Sequence, residues 1–120
     1  MNDLRVMRRA LLGALLAACT STSPSQSAVD REIADVSSLK HQYAGIVMGF
    51  DVRPADTLIV SLDLQTYIET DDQTLAAMKR DTLARWRSAW IAAHPHEHGT
   101  IHVRFIDFIG RKVATESTNV

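Results

Sequence analysis

Three stretches of this chain alternate apolar and polar residues with a period of two. Over residues 46–52, Ile46, Met48, Phe50 and Val52 share one face against Val47, Gly49 and Asp51. Over 57–64, Leu58, Val60, Leu62 and Leu64 alternate with Ile59, Ser61 and Asp63. Such alternation marks half-buried strands. Between them, Arg53-Pro54-Ala55-Asp56 places a proline where a β-turn favours one, which predicts a hairpin. The third stretch, Thr100–Ile106, sets Ile101, Val103 and Phe105 against His102, Arg104 and Ile106. Gly110 then marks a turn. Residues 112–115 return as a short edge strand, leaving 117–120 frayed.

Two segments follow the helical period instead. Over 28–44, Val29, Ile33, Val36 and Tyr43 form one stripe with Leu39 beside it. Ser27 with Asp30 resembles a capping box, and Gly45 supplies a left-handed stop. Ser37 and Ser38 weaken the middle of this pattern. The second helix opens with Thr70 and Gln73 as a capping box, and Asp71 and Asp72 favour its positive end. Leu75, Met78, Thr82, Trp86 and Ala89 mark its inner stripe, widened by Leu83 and Trp90. Arg85 and Arg87 gather late in the helix, which is predicted to stop near Ala92 or Ala93, ahead of Pro95. The order is α-β-β-α-β-β. That predicts an α+β two-layer sandwich over residues 28–116, a mainly antiparallel sheet with its helices on one face.

The first 27 residues fit no such layer. Arg5, Arg8 and Arg9 precede the apolar run of residues 10–18, and small residues lead to Cys19, the only cysteine of the 120 residues. A positive head, an apolar centre and a small-residue end make the three-part layout of a secretory signal. Nine apolar residues are too few to span a bilayer, which takes about 20. Residues 20–27, Thr-Ser-Thr-Ser-Pro-Ser-Gln-Ser, have no large apolar side chain to bury and are expected to form a flexible tether.

Leu16-Ala17-Ala18-Cys19 resembles the lipobox of bacterial lipoproteins. The resemblance implies a signal peptide over 1–18, cleavage after Ala18, and diacylation of Cys19 with a third acyl chain on the new amino terminus. Residues 19–27 would then be the lipidated cysteine and its tether. Thr20 is not aspartate, which by resemblance to lipoprotein sorting implies the outer membrane, facing the periplasm. The membrane is then one partner, reached through Cys19, and an envelope protein is the expected other. Two or more acyl chains hold a protein stably where one does so only marginally.

Charge narrows the function classes. The whole chain carries −1, but residues 19–120 hold 10 Lys and Arg against 13 Asp and Glu, or −3. A weakly acidic body has no basic field to track phosphates, so nucleic-acid binding is disfavoured.

Candidate chemistry is sparse. His94, His96 and His98 with Glu97, and His102 four residues on, are residue types that suit zinc or copper, though their spacing does not make a ligand set. A solvated loop whose histidines ligate nothing is the simpler expectation, and no cofactor is expected beyond weak zinc or copper binding. His94 or His102 with Ser61, Ser88 or Asp107 would need triad geometry, and no Gly-x-Ser-x-Gly elbow is present. Asp71, Asp72 and Asp81 read as helix-terminal and surface acids, and Trp86 with Trp90 as core rather than a stacking platform. Phe108 and Ile109 sit where a hairpin tip is normally polar. They either fold back on the core or form an apolar knob that marks a protein contact. These features favour a non-enzymatic interaction or assembly-supporting module. A metal-handling protein using the 94–102 histidines, and a small enzyme or inhibitor with a dispersed site, are the alternatives.

Overall fold

A computed structural model describes residues 23–53 and 56–120. Its elements are α1 (Ser23–Val36), α2 (Leu39–Gln42), β1 (Val47–Arg53), β2 (Thr57–Leu62), α3 (Leu64–Glu69), α4 (Asp72–Ala93), β3 (Thr100–Ile106) and β4 (Lys112–Asn119). The expected signal and lipobox lie outside the described residues, as do the first residues of the expected tether and Pro54-Ala55 of the first turn.

The fold is α+β, with more helices than the expected order contains. α1 starts at Ser23 rather than near Ala28, so it takes in five residues expected in the 19–27 tether. Within its first turns Gln26 donates to Asp30 at 3.2 Å. It ends at Val36, where the Ser37 hydroxyl donates to the Ala34 carbonyl at 2.7 Å. That local bond competes with helix propagation and splits the expected 28–44 helix in two. After α2, Gly45 at φ 86° turns the chain into β1.

The sheet runs β1-β2-β3-β4 and is mixed. β1 pairs antiparallel with β2, β2 parallel with β3, and β3 antiparallel with β4. The mainly antiparallel expectation fails at the central pair. Helical segments join β2 to β3, and such a crossover brings the chain back to start the next strand at the same end.

Leu64 leaves the second strand for α3, because the Asp63 side chain accepts from the Thr66 amide at 3.1 Å and caps a helix there. The cap of α4 is Asp71 rather than the expected Thr70. Its carboxylate accepts from the Thr74 amide at 2.9 Å and from the Thr74 hydroxyl at 2.7 Å. Those two bonds hold the Asp71 carboxyl below its usual range. Thr70 instead donates its hydroxyl to the Thr66 carbonyl at 2.6 Å.

β1 carries a bulge. Val47 pairs with Leu62 and Gly49 with Ser61, so Met48 is the extra residue. The bulge reverses the expected phase at its N-terminal end, where Val47 is buried and Met48 is 52% exposed. Beyond it Phe50 and Val52 oppose Val60 and Leu58 on the inner face, as the alternation predicts. β4 reaches Asn119 rather than stopping at Thr115, and Val120 exchanges backbone hydrogen bonds with Gly99 at 2.9 and 3.2 Å. Residues 117–120 are therefore paired, not frayed.

The core lies between the helices and the sheet face that carries Leu58, Val60, Leu62, Ile101, Val103 and Phe105. Met78, Trp86, Ala89 and Trp90 meet it from α4, and Val36 and Leu39 from the helices before β1. Gln42 and Tyr43 both donate to Asp81, which ties the end of α2 to α4. Burial first, then the Asp81 hydrogen bond and charge, push the Tyr43 hydroxyl up to about 12. Among the described residues, no helix is long and apolar enough to cross a membrane.

Candidate functional site

The β3–β4 hairpin tip is built from one buried acid. Asp107 is 2% exposed, and its Oδ1 accepts from the amides of Ile109 (3.1 Å) and Arg111 (2.9 Å). Its Oδ2 accepts from Arg111 Nε at 2.8 Å. Backbone bonds from Asp107 to the Arg111 carbonyl and from Gly110 to the Asp107 carbonyl, each 3.0 Å, close the turn. Gly110 completes it at φ 89°, a conformation that side chains disfavour. Burial alone would raise the Asp107 carboxyl, but the Arg111 amide, guanidinium and charge together outweigh it and hold it below its usual value.

The turn is thus fixed from within, and it leaves Phe108 89% and Ile109 61% exposed. Neither side chain folds back on the core. Asp107 followed three residues later by Gly110 was the available sign of a self-capped turn.

The histidines do not assemble. His94 caps the end of α4 and stacks on Trp90, with ring centroids 4.6 Å apart. His96 and His98 are exposed, and His102 Nδ1 meets Ser117 Oγ at 2.7 Å on β4. Among the described residues, no three of His, Cys, Asp and Glu are placed to hold one metal ion. Asp107, one of the candidate triad residues, is bonded instead within its own turn. Trp86 and Trp90 are core residues, at 0% and 6% exposure. Among the described residues, the lining of a cleft of about 780 Å³ beside Tyr67, Leu75 and Lys79 has no imidazole, thiol or serine.

What sequence reasoning missed is Glu32. It is 2% exposed on α1, with Oε1 3.6 Å from His94 Nε2, while His94 Nδ1 lies 2.5 Å from Glu97. Glu32 Oε2 and His94 Nε2 are buried with no hydrogen-bond partner among the described residues. Burial raises the Glu32 carboxyl above its ordinary 4.5, the nearby His94 ring partly opposes the rise, and Asp35 adds to it. A glutamate flanking an apolar stripe usually points to water, so the sequence carries no signal for this one.

No family model, curated protein or solved structure matches this chain.

The Glu32 geometry makes a signed prediction. A carboxyl raised in the folded state binds its proton more tightly there. The stability this confers is fully present below the unfolded value and is lost as pH rises through the folded one. Glu32→Gln cannot ionise, so its melting temperature should gain on wild type as pH rises above the ordinary carboxyl value of 4.5. Paired melts at each pH read the gap, and a gap that stays constant or narrows contradicts the assignment.

Proposed function

We propose that this protein is a lipid-anchored envelope protein of the outer membrane, facing the periplasm, that acts as a non-enzymatic interaction or assembly-supporting module. Cys19 is its anchor, and the Phe108–Ile109 knob is its partner contact. The observation that carries the reading is the exposure of two large apolar side chains on a turn held rigid by Asp107. Isolated apolar residues on a surface are ordinary, but two at the tip of a turn that cannot fold back are positioned for contact. A rigid turn also binds without losing loop entropy.

Crosslinked capture from envelope preparations tests it. Burying one large apolar side chain yields roughly 1.5–3 kcal/mol, and about 1.4 kcal/mol is a factor of ten. Phe108→Asp should therefore reduce capture of the specific partner at least about tenfold. His96→Ala with His98→Ala should leave both capture and the melting temperature unchanged. Equal capture by wild type and Phe108→Asp removes the knob from the mechanism. Stoichiometric zinc or copper that is lost with the two histidines would favour metal handling instead.

A further inference from the structure

The sheet face away from the helices has a charge and shape of its own. Cross-strand partners share a face. One rung of this outer face sets Asp51, Ile59 and Arg104 side by side, and the next sets Ser61, Ile106 and Lys112. A trough of about 530 Å³ lies over Ile59, Ser61 and Ile106 and meets the hairpin at Gly110. Asp51 is held by Arg53, two residues on along the same face, at 2.7 Å. The Arg104 and Lys112 side chains have no ion pair or hydrogen bond among the described residues. Arg53, Arg104 and Lys112 thus stand against one carboxylate, on a body where acids outnumber bases 13 to 10 from residue 19 onward. The sign of the face is opposite to that of the body.

We propose that this trough binds a protein segment in which carboxylates flank an apolar side chain. The inference rests on the reading of the chain as an interaction module and supplies the chemistry of its partner. Arg104 offers a planar fork that takes a carboxylate through two parallel hydrogen bonds. The apolar side chain rests on Ile59 and Ile106, and a second carboxylate reaches Lys112 across the rung. A continuous anionic surface such as a bilayer would also meet Asp51 in the trough lining, and like charges repel. A segment avoids that by carrying its carboxylates only toward Arg104 and Lys112.

The test uses a phage-displayed library of random peptides, selected on the full chain in mild detergent. Three baits are compared: wild type, Arg104→Glu with Lys112→Glu, and Phe108→Asp. Acidic–apolar sequences should be enriched on wild type, and a synthetic peptide of the selected sequence should bind the doubly charge-reversed protein at least about tenfold more weakly. Its affinity for wild type should fall between about 50 and 500 mM salt, where surface charges are increasingly screened. Melting curves of the three baits confirm that each is folded. Peptides lost on Phe108→Asp but kept on the charge-reversed bait would overturn this inference and leave the knob reading standing. No acidic–apolar enrichment also overturns it, and so does Arg104-dependent sedimentation with phosphatidylglycerol vesicles in the absence of peptide binding.

Discussion

Trp86→Ala should bring the folded domain close to its limit. Trp86 is fully buried on α4, and its indole Nε1 donates to the Asp56 carbonyl at 3.3 Å. The same carbonyl accepts from the His102 amide at 2.9 Å. One side chain therefore fills the core and joins α4 to the end of the first hairpin and to β3. Truncating a buried tryptophan to alanine costs about 3–5 kcal/mol, through lost transfer energy and the cavity left behind. A single domain has only about 5–15 kcal/mol to lose. Trp86→Phe keeps most of the ring and loses the hydrogen bond, so it should cost about 1–2 kcal/mol more than a neutral change. Ser61→Ala, on the outer sheet face, should stay within about 0.5 kcal/mol of wild type. Urea melts of residues 23–120 read all three. Equal losses at Ser61 and Trp86 would sink the assignment of inner and outer positions.

That contrast depends on the part of the fold legible in the chain. Alternation identified Leu58, Val60, Leu62, Ile101, Val103 and Phe105, and the helical stripe identified Leu75, Met78, Thr82, Trp86 and Ala89; all are buried. These positions follow from local periodicity, which a sequence displays directly. What was not legible depends on competition or on distance. The Met48 bulge is set by how β1 meets β2, and alternation alone gives no sign of an inserted residue. Thr66, Tyr67 and Ile68 favour strands, yet the Asp63 cap commits them to α3. The parallel central pair was open to inference from the helix between its strands, a topological rule rather than a local one. At the candidate site, the knob residues were visible, but whether Phe108 folded inward was decided by three hydrogen bonds to Asp107. The buried Glu32–His94 contact joins residues 62 positions apart and had no local signature.

Cys19→Ala should abolish lipidation outright and leave the chain at precursor length. If residues 16–19 are a lipobox, acylation comes first and cleavage second, because the peptidase recognises the lipid-modified cysteine. Alanine has no thiol to receive the diacylglyceryl group, so the 18 residues before it should remain attached. Cys19 is the only cysteine, so this change removes no disulfide and no other thiol chemistry. A change in size or location is then attributable to the anchor. Labelling cells with a clickable fatty acid should mark wild type and not the variant, and the variant should migrate as the larger species. Washing with salt or carbonate should leave wild type in the membrane, since two or three acyl chains bind stably where one binds with a constant of only about 10⁴ M⁻¹. Thr20→Asp should keep the label while moving the protein toward the inner-membrane fraction, which separates sorting from anchoring. Wild-type protein that takes up no label and is recovered free in the periplasm would refute the anchor while leaving the knob and the trough to be judged on their own tests.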